Sequence, residues 1–347
     1  MEDRPLEAVI VNYHTEEEAR ELLRILEDEP LVGRIHLVDN SGTFPGGDGG
    51  KLAVHRPGRN LGYGRAVNLA AERVRSPYLL VLNPDVRPLP GSIAALLRAA
   101  EESGAALLGP RFYWDEELTF RLPPAEGEAL FWAFAREVGQ RVSFPDGEIL
   151  SYWWRVRHEH FWARREPFRE PFLCGAALLV NLALCGRRVF DPDFFLYFED
   201  TDLSLRLERQ GLLQLCVPQA EMVHFWNRSP APPGGKEGLF AASRRLFWRK
   251  HYPFRPLLRW RLSLIPRRRW RPPEDLGELV EPPRFETPAV LELSLSPLFI
   301  PFAQSVEPLS SLPLHIWERL PPGRIFLRLV DRYGRVLGVH SFAKVEP

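Results

Sequence analysis

The sequence predicts an α/β protein: a large domain whose mostly parallel sheet is flanked by helices, followed by a small β domain. Two patterns lead to this. From residue 8 to about residue 108, continuous apolar runs of strand length alternate with helical repeats, as expected of parallel strands buried on both faces. Beyond Pro282-Pro283 the helical spacing gives way to strand-like runs, with Asp331-Arg332-Tyr333-Gly334 as a turn between two of them. A chain of 347 residues has room for both parts. The expected division is 1–255 for the α/β domain, 256–284 for a basic Pro/Arg-rich linker, and 285–347 for the β domain.

Ala8-Val9-Ile10-Val11 is the first buried strand, and Thr15 with Glu18 reads as a capping box opening a helix with Leu22, Leu23 and Leu26 inward. Ile35-His36-Leu37-Val38 is the second strand and ends in Asp39; a glycine-rich loop then leads to a third at Leu52-Ala53-Val54. Ligands of open parallel sheets bind outside the carboxyl ends of the strands, so Asp39 reads either as a nucleotide contact or as a turn former. Asn60-Leu61-Gly62-Tyr63-Gly64 precedes a helix, where glycines let backbone N–H groups approach a phosphate. No third glycine stands near Val67, which disfavours a dinucleotide-binding dehydrogenase. Tyr78 to Leu82 is the clearest strand and delivers Asn83-Pro84-Asp85 to the same edge. A carboxylate fixed there suits a hard divalent cation that also binds a diphosphate, although a plain turn has the same residues. Ala105 to Leu108 continues the βα alternation in the sense of a right-handed parallel sheet. From about Tyr113 to Glu170 the periodicity is lost among tryptophans, arginines and prolines, and Phe172 to Val180 is buried again.

The segment Phe194-Phe195-Leu196-Tyr197-Phe198-Glu199-Asp200-Thr201-Asp202-Leu203 carries three carboxylates at the start of an amphipathic helix that buries Leu203 and Leu207 and stops at Gly211. The helix dipole favours negative charge there. Acidic caps are common, but the four aromatic residues beside this one suit a general base that works next to a sugar with water excluded. His224 follows a strand that begins at Gln214. Alone it would read as structural; after two acidic motifs it is a candidate metal ligand.

Composition narrows the partners. Formal net charge is zero, so nothing advertises nucleic acid. Cys174, Cys185 and Cys216 are odd in number and lack metal-site spacing, which fits a reducing cytoplasm, and no signal-peptide pattern or 18-residue apolar run stands in the sequence.

In this order Asn12, Asp39, Asn60-Leu61-Gly62, Asn83-Pro84-Asp85, Cys174-Gly175-Ala176, Phe195 to Leu203 and His224 closely resemble family-2 GT-A glycosyltransferases of the rhamnosyltransferase-like branch, over about residues 7 to 255. The resemblance implies a GT-A fold and inverting transfer from a nucleoside-diphosphate sugar (dTDP-rhamnose or a UDP-hexose) to a hydroxyl of a glycan or lipid-linked acceptor. By it, Asp200 is the catalytic base with Glu199 beside it. Asn12, Asp39, Asn60, Gly62, Asn68 and Asn83 form the nucleotide side, and Asp85 and His224 hold Mg²⁺ or Mn²⁺. Asn83 replaces the first Asp of the more familiar Asp-x-Asp motif.

From Leu239 to Pro273 arginines alternate with apolar residues and no acid occurs, which reads equally as a peripheral site on anionic lipid at the inner membrane face and as a solvated or interdomain surface. The β domain lies outside the resemblance and leaves carbohydrate binding, dimerisation and docking open. Two competing readings are a catalytically silent sugar-binding scaffold on the same fold and a nucleotidyltransferase. Asp85, Asp200 and His224 together argue against the first, and the lack of a basic glycine-rich loop near the amino terminus argues against the second.

Overall fold

The computed structural model describes residues 5–127, 148–225, 235–254, 273–299 and 301–345. They fall into two compact units, one of Met1–Arg111 with Arg164–Arg255 and one of Phe112–Ala163 with Pro256–Pro347.

In the first unit β1 (Leu6–Asn12), β2 (Val32–Asp39), β3 (Leu52–His55) and β4 (Tyr78–Leu82) are parallel in the order β3-β2-β1-β4. Every residue of β1 is buried, which explains why Ala8-Val9-Ile10-Val11 is a continuous apolar run rather than an alternating one. Helix α1 (Glu16–Asp28) buries Leu22, Leu23 and Leu26 as expected, and Ala19 with them. Its capping box does not form: Thr15 is the N-cap residue but makes no cap bond, and its hydroxyl donates to Asn12 Oδ1 at 3.1 Å. Helix α2 (Tyr63–Ala71) follows β3, and β5 (Val86–Pro88) and α3 (Ser92–Ser103) follow β4.

The next strand, β6 (Leu107–Tyr113), runs in the expected direction but does not pair with β4. The chain then supplies β7 (Phe120–Arg121) and α4 (Glu148–Ala163) to the second unit, passes through β8 (Phe168–Arg169), and returns as β9 (Ala177–Asn181). β9 inserts between β4 and β6, antiparallel to both. After a short helical turn come α5 (Glu199–Arg209), β10 (Gln214–His224) and α6 (Lys236–His251). β10 pairs antiparallel with β5, setting His224 opposite Val86.

The second unit holds β11 (Glu274–Leu279), β12 (Arg284–Ser294), β13 (Ala303–Ser305), β14 (Leu309–Ser311), α7 (Leu314–Arg319), β15 (Gly323–Val330) and β16 (Val336–Lys344). Its sheet runs β11-β16-β15-β12-β13-β7, with β14 beside β12. Trp114 and Phe120 belong to the same apolar cluster as Leu291, Ile316, Trp317 and Phe342. Trp154 of α4 packs with Leu298, Phe299 and Phe302. A buried Glu292 accepts from Arg155 Nε at 2.9 Å and from Arg328, whose guanidinium lies 4.3 Å from the Phe299 ring centre. These contacts place residues 112–163 with the carboxyl-terminal strands, where the sequence had put them in 1–255, and they turn part of the expected irregular segment into a helix. β11 likewise falls inside the expected linker 256–284; residues 255–272, including Arg267, Arg268 and Arg269 of the basic stretch, lie outside the described residues.

Candidate active site

The site is built at the carboxyl edge of β1, β2 and β4. Asn12 ends β1 fully buried. Its Nδ2 donates to Asp39 Oδ1 at 3.0 Å and to Ser41 Oγ at 3.1 Å, and its Oδ1 accepts from Thr15 N at 3.1 Å. Asp39 ends β2 and also accepts from Gly42 N and Phe44 N, each at 3.0 Å. Burial alone would raise the Asp39 carboxyl, but the donors from Asn12, Ser41, Phe44 and Gly42 outweigh it and hold the group below its ordinary value. Asp39 therefore organises the 41–44 turn from its place on the edge. The side chain of Asn40, which the sequence did not single out, ties this edge to the next loop: its Nδ2 donates to Gly62 O at 3.1 Å.

Asn60 Oδ1 accepts from Gly62 N at 2.9 Å and shapes the entry to α2. Gly62 has φ +81°, and a Cβ added there would lie 2.3 Å from Phe195 O. Its glycine is thus required by the close approach of the 194–203 segment, with Tyr63 N donating to Phe195 O at 2.8 Å. Asn68 closes on Phe190 through two hydrogen bonds, Nδ2 to O at 2.7 Å and Phe190 N to Oδ1 at 3.0 Å. It acts as a brace between α2 and the approach to α5.

Asn83 N donates to Ala176 O at 2.8 Å, linking the end of β4 to the start of β9. Asp85 is buried in the following turn, which Arg87 secures by donating to Pro84 O at 2.7 Å. Its Oδ1 faces His224 Nε2 at 3.6 Å, too long for a hydrogen bond. Burial lowers the His224 pKa against the pull of Asp85, favouring a neutral imidazole. A carboxylate oxygen and a neutral imidazole nitrogen at this separation fit two ligands of one divalent cation, with the remaining positions open to phosphate oxygens. The three-member group Asp115, Glu117 and His315 lies in the second unit and is a different cluster.

Helix α5 opens with the three acids, and the structure separates them. Asp202 has a fully buried carboxylate that accepts from His251 Nε2 at 2.7 Å, Lys250 Nζ at 2.6 Å and Arg206 Nε at 2.8 Å. Burial raises its pKa, but these three partners lower it further, to about 2. Glu199, also buried, has among the described residues neither a cationic partner nor a hydrogen-bond partner for its Oε2. Burial and the neighbouring Asp200 push its carboxyl up to about 8. Asp200 is half-buried and its Oδ2 accepts from Gly175 N at 2.9 Å. Burial raises its pKa, opposed by the N–H groups of Gly175 and Thr201. A Cβ on Gly175 would lie 2.9 Å from Asp200 Oδ2, so this glycine too is required by the site.

Tyr63 gathers these groups. It is partly buried, with its hydroxyl donating to Gly175 O at 3.1 Å, and its pKa is raised by burial and then by Glu199, Asp200, Cys174 and Asp85. The Asp85 turn and the α5 acids thus lie within electrostatic reach of one tyrosine. Tyr63 and Gly175 stood inside motifs of the sequence, but only folding reveals them as the contact between those motifs.

The model of the family described as Glycosyl transferase family 2 matches residues 8–172. An N-acetylglucosaminyl-diphospho-decaprenol L-rhamnosyltransferase of Mycobacterium tuberculosis is 32% identical over 235 residues, which span 59% of this chain and 70% of that protein. The chain belongs to glycosyl transferase family 2. The first unit of this family-2 chain has a mostly parallel sheet flanked by helices. Similar solved structures include GalNAc-T7 with UDP, GalNAc and Mn²⁺ (TM-score 0.43, 16% identity, 64% of this chain and 44% of that one). Another is the Pyrobaculum calidifontis mannosyltransferase PcManGT with GDP-Man and Mn²⁺ (TM-score 0.41, 12% identity, 70% and 64%). A third is S. aureus TarS 1–349 with UDP (TM-score 0.40, 11% identity, 63% and 60%). The chain spans under two thirds of the length of each of these three structures.

Proposed function

We propose that this family-2 glycosyltransferase transfers a sugar, rhamnose or a hexose, from a nucleoside-diphosphate donor to a hydroxyl of a lipid-linked acceptor, with inversion at the anomeric carbon. The observation that carries this reading is the asymmetry of the α5 acids: Asp202 is bound by Arg206, Lys250 and His251, while Asp200 is partly exposed, has no cationic partner among the described residues and shares the surroundings of Tyr63 with Asp85. Asp200 takes the proton of the acceptor hydroxyl, which then attacks the sugar from the face opposite the diphosphate. The N–H groups of Gly175 and Thr201 donate to its carboxylate and hold it in place. Asn12, Asp39, Asn60, Gly62, Asn68 and Asn83 shape the donor side of the edge. Asp85 and His224 would hold Mg²⁺ or Mn²⁺, which when bound stabilises negative charge on the leaving diphosphate.

The decaprenyl-linked acceptor in the mycobacterial relative's name supports a prenyl-diphosphate glycan as the class to test here. Among the described residues no helix is long and apolar enough to cross a membrane. The basic stretch 239–273 is the region proposed to meet an anionic lipid surface at the inner membrane face, and the second unit is an accessory part open to carbohydrate binding or dimerisation.

The test is a panel of dTDP-rhamnose and UDP-hexoses offered with a prenyl-diphosphate N-acetylglucosamine acceptor, with and without Mn²⁺. One donor should give an inverted product, and Asp85→Ala and His224→Ala should each remove the gain in nucleoside-diphosphate affinity that Mn²⁺ provides. Affinity unchanged by a chelator would overturn the metal assignment. Absence of transfer with every donor would favour the silent scaffold.

A further inference from the structure

Immediately before Glu199 and Asp200, the backbone adopts a conformation that bulky residues avoid. Tyr197 and Phe198 both have φ +69°. For side chains with a Cβ, and aromatic ones above all, the left-handed region is strained, and two such residues in succession persist only where their surroundings hold them. The conformation has a use: it swings the chain so that Phe198 caps α5 and Glu199 and Asp200 open its first turn. Relaxation of either residue would rotate the base away from Gly175 and from the Asp85 turn.

What holds the pair is one face of α6. Ser243, Phe247 and His251 fall four apart, and all three are buried. Ser243 Oγ donates to Leu196 O at 2.7 Å, fixing the peptide that enters the strained pair. Phe247 packs against Phe198 with ring centres 5.5 Å apart. One turn earlier Phe240 meets Tyr197 at 5.6 Å and Phe198 at 5.1 Å. At the far end His251 Nε2 binds Asp202 at 2.7 Å, anchoring the first turn of α5 on its other side. A hydroxyl, a ring and an imidazole thus grip the segment before, at and after the strained residues.

We propose that Ser243, Phe247 and His251 are positioning residues for catalysis: α6 keeps the Tyr197-Phe198 turn in its strained form and thereby keeps Asp200 aimed at the acceptor hydroxyl. The inference rests on the reading of Asp200 as the base. None of the three touches substrate; each acts through the turn.

Ser243→Ala is the decisive variant, because it removes one hydrogen bond and leaves the packing in place. With the full chain and its best donor and acceptor, kcat should fall about 10-fold or more, while KM for the donor and the nucleoside-diphosphate Kd stay within about 2-fold. Ser243→Thr, which keeps the hydroxyl, should recover most of the rate, and Phe247→Leu should repeat the loss in kcat. A purely structural role would instead lower the melting temperature and leave kcat of the folded enzyme unchanged well below it. If Ser243→Ala folds and turns over at the parent rate, the inference is overturned, and should Phe247→Leu not fold, Ser243→Ala still decides. Asp200→Asn separates the two readings: full activity in that variant sinks the base assignment itself, whereas an inactive Asp200→Asn beside a fully active Ser243→Ala sinks only the positioning role.

Discussion

The first turn of α5 holds two electrostatic regions within four residues. On one side Asp202 is sealed from solvent and surrounded by Arg206, Lys250 and His251. On the other, Glu199 and Asp200 stand side by side without a cationic partner among the described residues, and burial raises both. The helix dipole and the acidic composition are common to both, so neither explains the difference. Partners brought from 48 and 49 residues away do. A carboxylate with three basic partners is an anchor and releases its proton even in acid; one raised by burial instead holds a proton more readily than an ordinary carboxylate, which suits a general base.

The largest effect should come from removing the unpaired member. Asp200→Asn should lower kcat by about two to four orders of magnitude, the usual worth of a general base, with nucleoside-diphosphate affinity within a few-fold. Turnover retained at the parent level would erase the functional half of the contrast.

Stability should respond in the opposite sense. Asp202→Asn leaves the Arg206 and Lys250 cations around a neutral amide and should cost about 3–5 kcal/mol in urea unfolding, whereas Asp200→Asn should cost nothing or stabilise, since the charge it removes is poorly solvated. Equal losses in the two variants would show that the regions do not differ.

The pH dependence sharpens the same point through its sign. Glu199 is raised from 4.5 to about 8, so its contribution to stability is complete below pH 4.5 and is lost as pH rises through 8. Asp202 is lowered from 3.8 to about 2, so its contribution is present above pH 3.8 and is lost as pH falls through 2. Melting curves of Glu199→Gln should therefore be flatter than the parent between pH 5 and 8, and those of Asp202→Asn flatter only in acid. The smallest effect is expected at Asp191, which meets Lys250 at 2.5 Å nearer the surface: Asp191→Asn should cost no more than about 1 kcal/mol by chemical denaturation.

The sheet was legible where burial is local. β1 and β4 are continuous apolar runs, and the structure places both in the parallel core. The placing of β9 between β4 and β6 was not legible, because strand order depends on where a distant segment returns and no periodicity encodes that. Helix α4 escaped notice for a related reason: its buried positions include Arg155 and His158, and a stripe interrupted by such residues does not read as apolar. Arg155 is tolerated there by Glu292, 137 residues on. At the site, the acids on α5 and the carboxyl-edge positions of Asp39 and Asp85 were apparent from the sequence. The anchoring of Asp202 was not, nor was the reason for Gly62, whose neighbour is the carbonyl of Phe195.

The second unit is assembled from two stretches of chain with the later part of the first unit between them. During synthesis, Trp114, Phe120 and Trp154 emerge well before their partners Leu291, Phe302, Ile316 and Phe342. Until those arrive, a set of aromatic side chains has no core to enter, and the nascent protein carries an adhesive surface through a large part of its translation. A ribosome-bound chain stalled near residue 260 should therefore recruit chaperones strongly, and that recruitment should fade once β16 has cleared the exit tunnel.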